Sequence, residues 1–180
     1  MNDISFPPAD VDYSIIISPR PGRCDGAIRA FPFYFPLRFP MTLSRLPSPS
    51  ASPVSRAVRI TAPQEIVAFS AQFPAVVNEQ ADPQSVAAFG DTATQTRTTL
   101  ERMAAVLAEV DMTLANLVSM RVYLVADPAL GKMDFAGFNE ACKAFFKTKD
   151  ESQFPARTVL QAAGLVNPGW LIEIEVVAAR

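Results

Sequence analysis

A chain of 180 residues, 49% of them hydrophobic, is long enough to bury one domain-sized core. Its 16 Lys and Arg against 18 Asp and Glu leave a net charge of −2 with no basic run, so phosphate-driven nucleic-acid binding is not supported. Histidine is absent, which excludes a Ser-His-Asp triad, a ribonuclease built on paired histidines and any histidine-ligated metal. The two cysteines, Cys24 and Cys142, stand in no CxxC pair; no metal site or disulfide framework is expected, and a reducing cytoplasm is the expected location.

Ten of the sixteen prolines fall in the first 53 residues. The stretch AFPFYFPLRFP (Ala30 to Pro40) has neither a helical nor an alternating period, and proline removes the backbone donor that both kinds of ladder need. Five phenylalanines before Met41 make this region too apolar for an ordinary disordered tail. An extended aromatic arm for a partner is one reading; a native product that begins at Met41 is the favoured one. Tyr13 to Ser18 (YSIIIS) falls far short of the roughly 20 apolar residues that span a bilayer, and Asp10 and Asp12 precede it where a signal peptide carries basic residues. No membrane partner is expected. Residues 1–46 are read as a Pro/Phe-rich extension, unstructured or not native, and residues 47–180 as the domain.

Within the domain, Ala57 to Ile60 and Glu65 to Ser70 read as two strands joined by a short turn through Ala62, Pro63 and Gln64. A loop from Phe73 to Pro83 leads to a helix beginning near Asp91, a suitable N-cap, with Ala93, Leu100, Met103, Leu107 and Val110 along its apolar line. Thr113 caps a short turn, and Val118 to Val125 (VSMRVYLV) alternates as a strand. A second helix runs from about Met133 to Phe146, its buried stripe formed by Phe135, Phe138, Cys142, Phe145 and Phe146. Cys142 lies in that stripe and reads as a packed thiol, not a nucleophile.

Two strands close the chain. Pro155 holds the backbone extended ahead of Arg157, after which Thr158, Val159 and Leu160 favour a strand. In the last strand Ile172, Ile174, Val176 and Ala178 fall on one face, and Leu171, Glu173, Glu175 and Val177 on the other. An arginine and a carboxylate delivered by two strands make a small site for an anionic substrate; the blander reading is solvated surface charge worth at most about 1 kcal/mol. The order of elements predicts an α+β fold, a single mixed sheet with two helices on one face. The other face then needs cover, which a symmetric oligomer supplies.

Four segments resemble the RidA/YjgF family of enamine/imine deaminases: SPVSRAV (Ser52 to Val58), FSAQFP (Phe69 to Pro74), DFAGFNEACKAFF (Asp134 to Phe146), and FPARTV followed by IEIEVVA near the C-terminus. The resemblance implies a chorismate-mutase-like homotrimer with a central barrel-like core and pockets between neighbouring subunits. It also implies hydrolysis of small 2-imino and 2-aminoacrylic acids to 2-keto acids and ammonia, without metal or organic cofactor. Carried over position by position, it makes Arg157 the carboxylate grip and Glu173 the holder of the attacking water. Ser70, Ala71, Asn139, Thr158, Val159 and Val54 become the lining for substrate. Glu175 better fits a solvated strand carboxylate. The departures are Val54 for a frequent tyrosine, Ala71 for glycine, Val159 for a common cysteine, Cys142 for the helix tyrosine, and one extra residue near Asn167 to Gly169. They suggest a divergent pocket. The alternatives are a non-catalytic trimer that binds small carboxylates and, with less support from charge and the missing histidines, an endoribonuclease or translation inhibitor.

Overall fold

The computed structural model describes residues 40–49, 53–146 and 153–180. The expectations for residues 1–39, and for Cys24 with them, lie outside the described residues. Six strands form one mixed sheet: β1 (Thr42–Pro47), β2 (Ser55–Thr61), β3 (Ile66–Gln72), β4 (Leu117–Leu124), β5 (Ala156–Gln161) and β6 (Ile172–Ala179), in the spatial order β1-β2-β5-β4-β6-β3. The helices are α1 (Val86–Phe89), α2 (Thr92–Ala108) and α3 (Phe135–Phe146), with a single 3-10 turn at Leu114–Asn116. The fold is α+β, with two main helices on a six-stranded mixed sheet. Among the described residues no helix is long and apolar enough to cross a membrane.

Alternation in the strands decides which sheet face the helices cover. Met120, Val122 and Leu124 of β4 and Ile172, Ile174, Val176 and Ala178 of β6 are buried in one cluster with Leu100, Met103 and Leu107 of α2 and Phe138, Cys142 and Phe146 of α3. At about 25 cal/mol per Å² of apolar surface removed from water, this cluster is the main stabilising element. The intervening residues Ser119, Arg121, Tyr123, Glu173, Glu175 and Val177 point to the other face, where the described residues place no helix.

Sequence periodicity does not mark β1 or α1. Strand β1 pairs antiparallel with β2 from Thr42↔Thr61 to Pro47↔Ser55, so it owes its structure to a ladder more than to its own alternation. The two strands joined by the Ala62-Pro63-Gln64 turn are not neighbours in the sheet: β3 joins β6 at one end, while β2 reaches β5 through the parallel pair Ser55↔Ala156. Ala62, at φ 48°, turns the chain between them.

Local chemistry sets the helix boundaries. Asp91 caps α2 by accepting a hydrogen bond from the Thr94 amide at 2.8 Å, and this bond holds its carboxyl below the ordinary carboxylate range. Ahead of α3, the Asp134 carboxylate accepts a hydrogen bond from the Gly137 amide at 2.9 Å. Gln95, wholly buried on α2, donates to the carbonyls of Gly90 and Gly169 and accepts from the Leu171 amide at 2.8 Å. It thus fixes the loop that feeds β6. Gly169 lies so close to Ser85 that a Cβ would sit 2.5 Å from its carbonyl oxygen.

Candidate functional site

Arg157 is the second residue of β5, on the helix-covered face beside Met120. Its guanidinium runs under α3, where one nitrogen donates to Asn139 Oδ1 at 2.9 Å. The Phe138 and Phe135 rings lie 4.9 and 5.9 Å from its central carbon, close enough for attraction between cation and ring face. Its Nε is buried without a hydrogen-bond partner. No carboxylate among the described residues forms an ion pair with it. Burial pulls its pKa down, and the neighbouring Cys142 partly opposes this. A partly buried cation without a counterion is costly, and a ligand anion is the group that relieves the cost.

Cys142 lies one turn beyond Asn139 and is 1% exposed. Burial pushes its thiol up to about 12 even though Arg157 acts in the opposite direction, which keeps it neutral and inert, as its place in the stripe predicted. Beside this cluster opens a cleft of about 650 Å³ whose walls include Pro53, Lys132, Met133, Phe135, Asn139 and Lys143. Asn139 and Phe135 therefore face both the cleft and the guanidinium. Val54 is half-buried near the same end of β5, because the Ser55 hydroxyl next to it donates to the Phe154 carbonyl at 2.6 Å.

Glu173 occupies the opposite face. Register sets it across from Tyr123 of β4, which in turn faces Leu160 of β5. Partial burial raises its carboxyl above the ordinary value. Glu175, one rung away, accepts from Arg121 at 2.8 Å in an ion pair. The two glutamates of IEIE are thereby separated: Glu175 is engaged, whereas Glu173 pairs with no cation among the described residues. Thr158 is exposed on this face. Ser70 and Ala71 fall in a bulge of β3, where the register jumps from Phe69↔Val176 to Gln72↔Ile174 and leaves both opposite Glu175. Val159 turns the other way and packs against the core.

The expected site residues thus divide. Arg157 and Asn139 meet, with Val54 near them; Glu173, Ser70, Ala71 and Thr158 gather on the open face; Val159 faces the core. Within one chain Arg157 and Glu173 lie on opposite faces of the sheet. Sequence reasoning passed over Tyr123, although the alternation of VSMRVYLV already sets it apart from Met120, Val122 and Leu124. It also passed over Gln95, whose polarity hid a fully buried position.

A family model described as Endoribonuclease L-PSP matches residues 46–180. A RutC family protein of Haemophilus influenzae is 34% identical over 90 residues, half of this chain, and the match spans 65% of that protein's own length. Among solved structures, that of YyfB from Yersinia pestis, described as a protein of unknown function of the conserved Rid family, is 25% identical. It covers 71% of this chain and 86% of its own, with a TM-score of 0.54. E. coli TdcF, crystallised with bound serine, is 29% identical over 65% of this chain and 82% of its own, with a TM-score of 0.49.

Proposed function

The chain belongs to the endoribonuclease L-PSP family, known also as RidA/YjgF, of which it is a divergent member, and from that premise we propose that it hydrolyses small 2-imino acids to 2-keto acids and ammonia. The observation that carries this reading is the half-buried Arg157 guanidinium, steadied by Asn139 and left without a carboxylate among the described residues. A planar fork with an unused Nε suits the carboxylate of a 2-imino acid, to which it makes charge-assisted hydrogen bonds. Glu173, free of a cation partner among the described residues and with its carboxyl raised above the ordinary value by partial burial, suits a group that orients water and moves protons.

Water attacks C2 as the π pair of the C=N bond moves to nitrogen, and Glu173 carries the proton from oxygen to that nitrogen. The resulting amino alcohol collapses when the hydroxyl proton follows the same route. The C–N bond then breaks, its electron pair leaves with ammonia, and the C=O bond forms. No cofactor enters. Because Arg157 and Glu173 lie on opposite faces of one sheet, the proposal places the reaction between copies in a homotrimer: one contributes the arginine, its neighbour the glutamate. The cytoplasm, where such imines arise as reactive by-products, is the proposed location.

The same separation of faces favours a second reading, a carboxylate-binding protein without turnover, in which Arg157 acts alone. The deciding experiment supplies the imine in place from a serine or threonine dehydratase and follows keto-acid release against a trapping amine. Acceleration by the wild type, lost in Arg157→Ala and Glu173→Gln, supports the deaminase. Binding of small carboxylates without acceleration supports the second reading.

A further inference from the structure

Tyr123 stands directly across from Glu173 on the open sheet face. Direct cross-strand partners keep their Cβ atoms about 4.5–5.5 Å apart with side chains rising together from the sheet. The other neighbour of Tyr123 in that rung is Leu160, an apolar residue that offers its hydroxyl nothing. Tyr123 is half-buried, and its hydroxyl makes no hydrogen bond to another described residue. Glu173 has no ion-pair partner among the described residues either, while the adjacent rung is consumed by Arg121 and Glu175. One phenol and one carboxylate, neighbours on one face, are thus both uncommitted.

We propose that Tyr123 is a catalytic residue that holds the attacking water together with Glu173. This rests on the deaminase reading and deepens it. A water between the two groups donates one hydrogen bond to the Glu173 carboxylate and the other to the Tyr123 oxygen. Its lone pair is then directed away from the sheet, toward a substrate seated over this face. When the O–C2 bond forms, the proton given to Glu173 is the one transferred, and the bond to Tyr123 keeps the oxygen aligned until it is. The phenol ring also occupies one flank of Glu173, where it excludes bulk water from the carboxylate.

The test compares wild type, Tyr123→Phe, Glu173→Gln and the double variant in the dehydratase-coupled assay, with unfolding midpoints measured alongside. Tyr123→Phe keeps the ring and removes only the hydroxyl. The expected result is a kcat lower by roughly ten- to a hundredfold with KM within about twofold, the range of rate lost when a reacting group is misaligned. The double variant should be no slower than Glu173→Gln alone, since both residues serve one water. Wild-type kcat in Tyr123→Phe, or losses that simply multiply, would overturn the role of Tyr123 while deamination stands. Full activity in Glu173→Gln would overturn this pairing and the assignment of Glu173 with it. No turnover by the wild type would overturn the deaminase reading itself.

Discussion

Arg157 keeps its charge in half-buried ground with one amide oxygen and two aromatic rings for company. A site optimised for stability alone would not retain such a group, since burying an unpaired charge costs more than packing an apolar side chain of similar size. Arg157→Met is therefore expected to leave the urea midpoint unchanged or higher while abolishing substrate binding. Arg157→Lys keeps the charge but loses the fork, and a rise in KM of at least about tenfold is expected. If a desolvated pair with the substrate carboxylate forms, Arg157→Ala costs about 2–5 kcal/mol of transition-state binding, read from kcat/KM. Unchanged kcat/KM in Arg157→Ala would remove it from the site. Glu173 makes a prediction in pH. Its folded pKa is raised by burial, so the folded state holds the proton more firmly than the unfolded chain. Its contribution to stability is then present below the unfolded value and lost as pH rises through the folded one. Glu173→Gln should flatten that part of the stability–pH curve. In activity, the wild-type acid limb should lie above the ordinary carboxylate value, because the base works only when ionised, and a limb at that value would contradict the assignment.

At the scale of elements, the start of β6 depends on a residue of α2. From a fully buried position Gln95 satisfies the Gly90 and Gly169 carbonyls and the amide of Leu171, which stands two residues before Glu173. Gln95→Leu keeps bulk and orphans all three groups; at about 1–3 kcal/mol for each buried group left unpaired, a loss near 3 kcal/mol in denaturant titration is expected after partial rescue by water. The same variant should lower kcat, because Glu173 follows directly on the loosened loop. A stability loss below 1 kcal/mol would deny Gln95 this role. Such a residue shows why only part of the architecture was legible. Period two in IEIEVVAA marks Ile172, Ile174, Val176 and Ala178 as buried, and the apolar stripe of α3 marks Phe138, Cys142 and Phe146, while Phe135, expected in that stripe, is 42% exposed at the first turn. The place of β3 beside β6, and of β2 beside β5, depends on pairings more than a hundred residues apart in sequence, to which local period is blind. The buried polar face of α2, with Gln95, Thr96 and Thr99, contradicts the apolar-inside rule and is intelligible only once its carbonyl partners are known. For the site, residue type singled out Arg157 and Glu173, but which sheet face each occupies follows from register, and the loan of Tyr123 from β4 follows from it too.

For the whole molecule, the open sheet face is the unfinished part. It carries Glu173 and Tyr123 together with exposed Leu160 and Ile66, at 42% and 56%. Exposed apolar residues among uncommitted polar groups favour cover by another copy. Arg157 leaves by the opposite face, so a site that uses both residues must take them from two chains. This has a sharp consequence. Arg157→Ala and Glu173→Gln are each expected to keep only a small remnant of wild-type turnover, yet each still holds the residue that the other lacks. Refolding an equal mixture gives oligomers in which an intact arginine meets an intact glutamate at about one site in four, the product of two random choices in a closed ring of subunits. About a quarter of wild-type turnover should return, without change in KM, because the restored sites are complete. If one chain supplied both residues, every site in the mixture would carry a lesion and no activity would return. Mixing the folded variants without exchange of subunits serves as the control and should stay silent. Recovery at that level would establish both the shared pocket and the separation of Arg157 from Glu173 by the sheet; silence after proven exchange would put the two residues in different functions and leave Arg157 as a binding group alone.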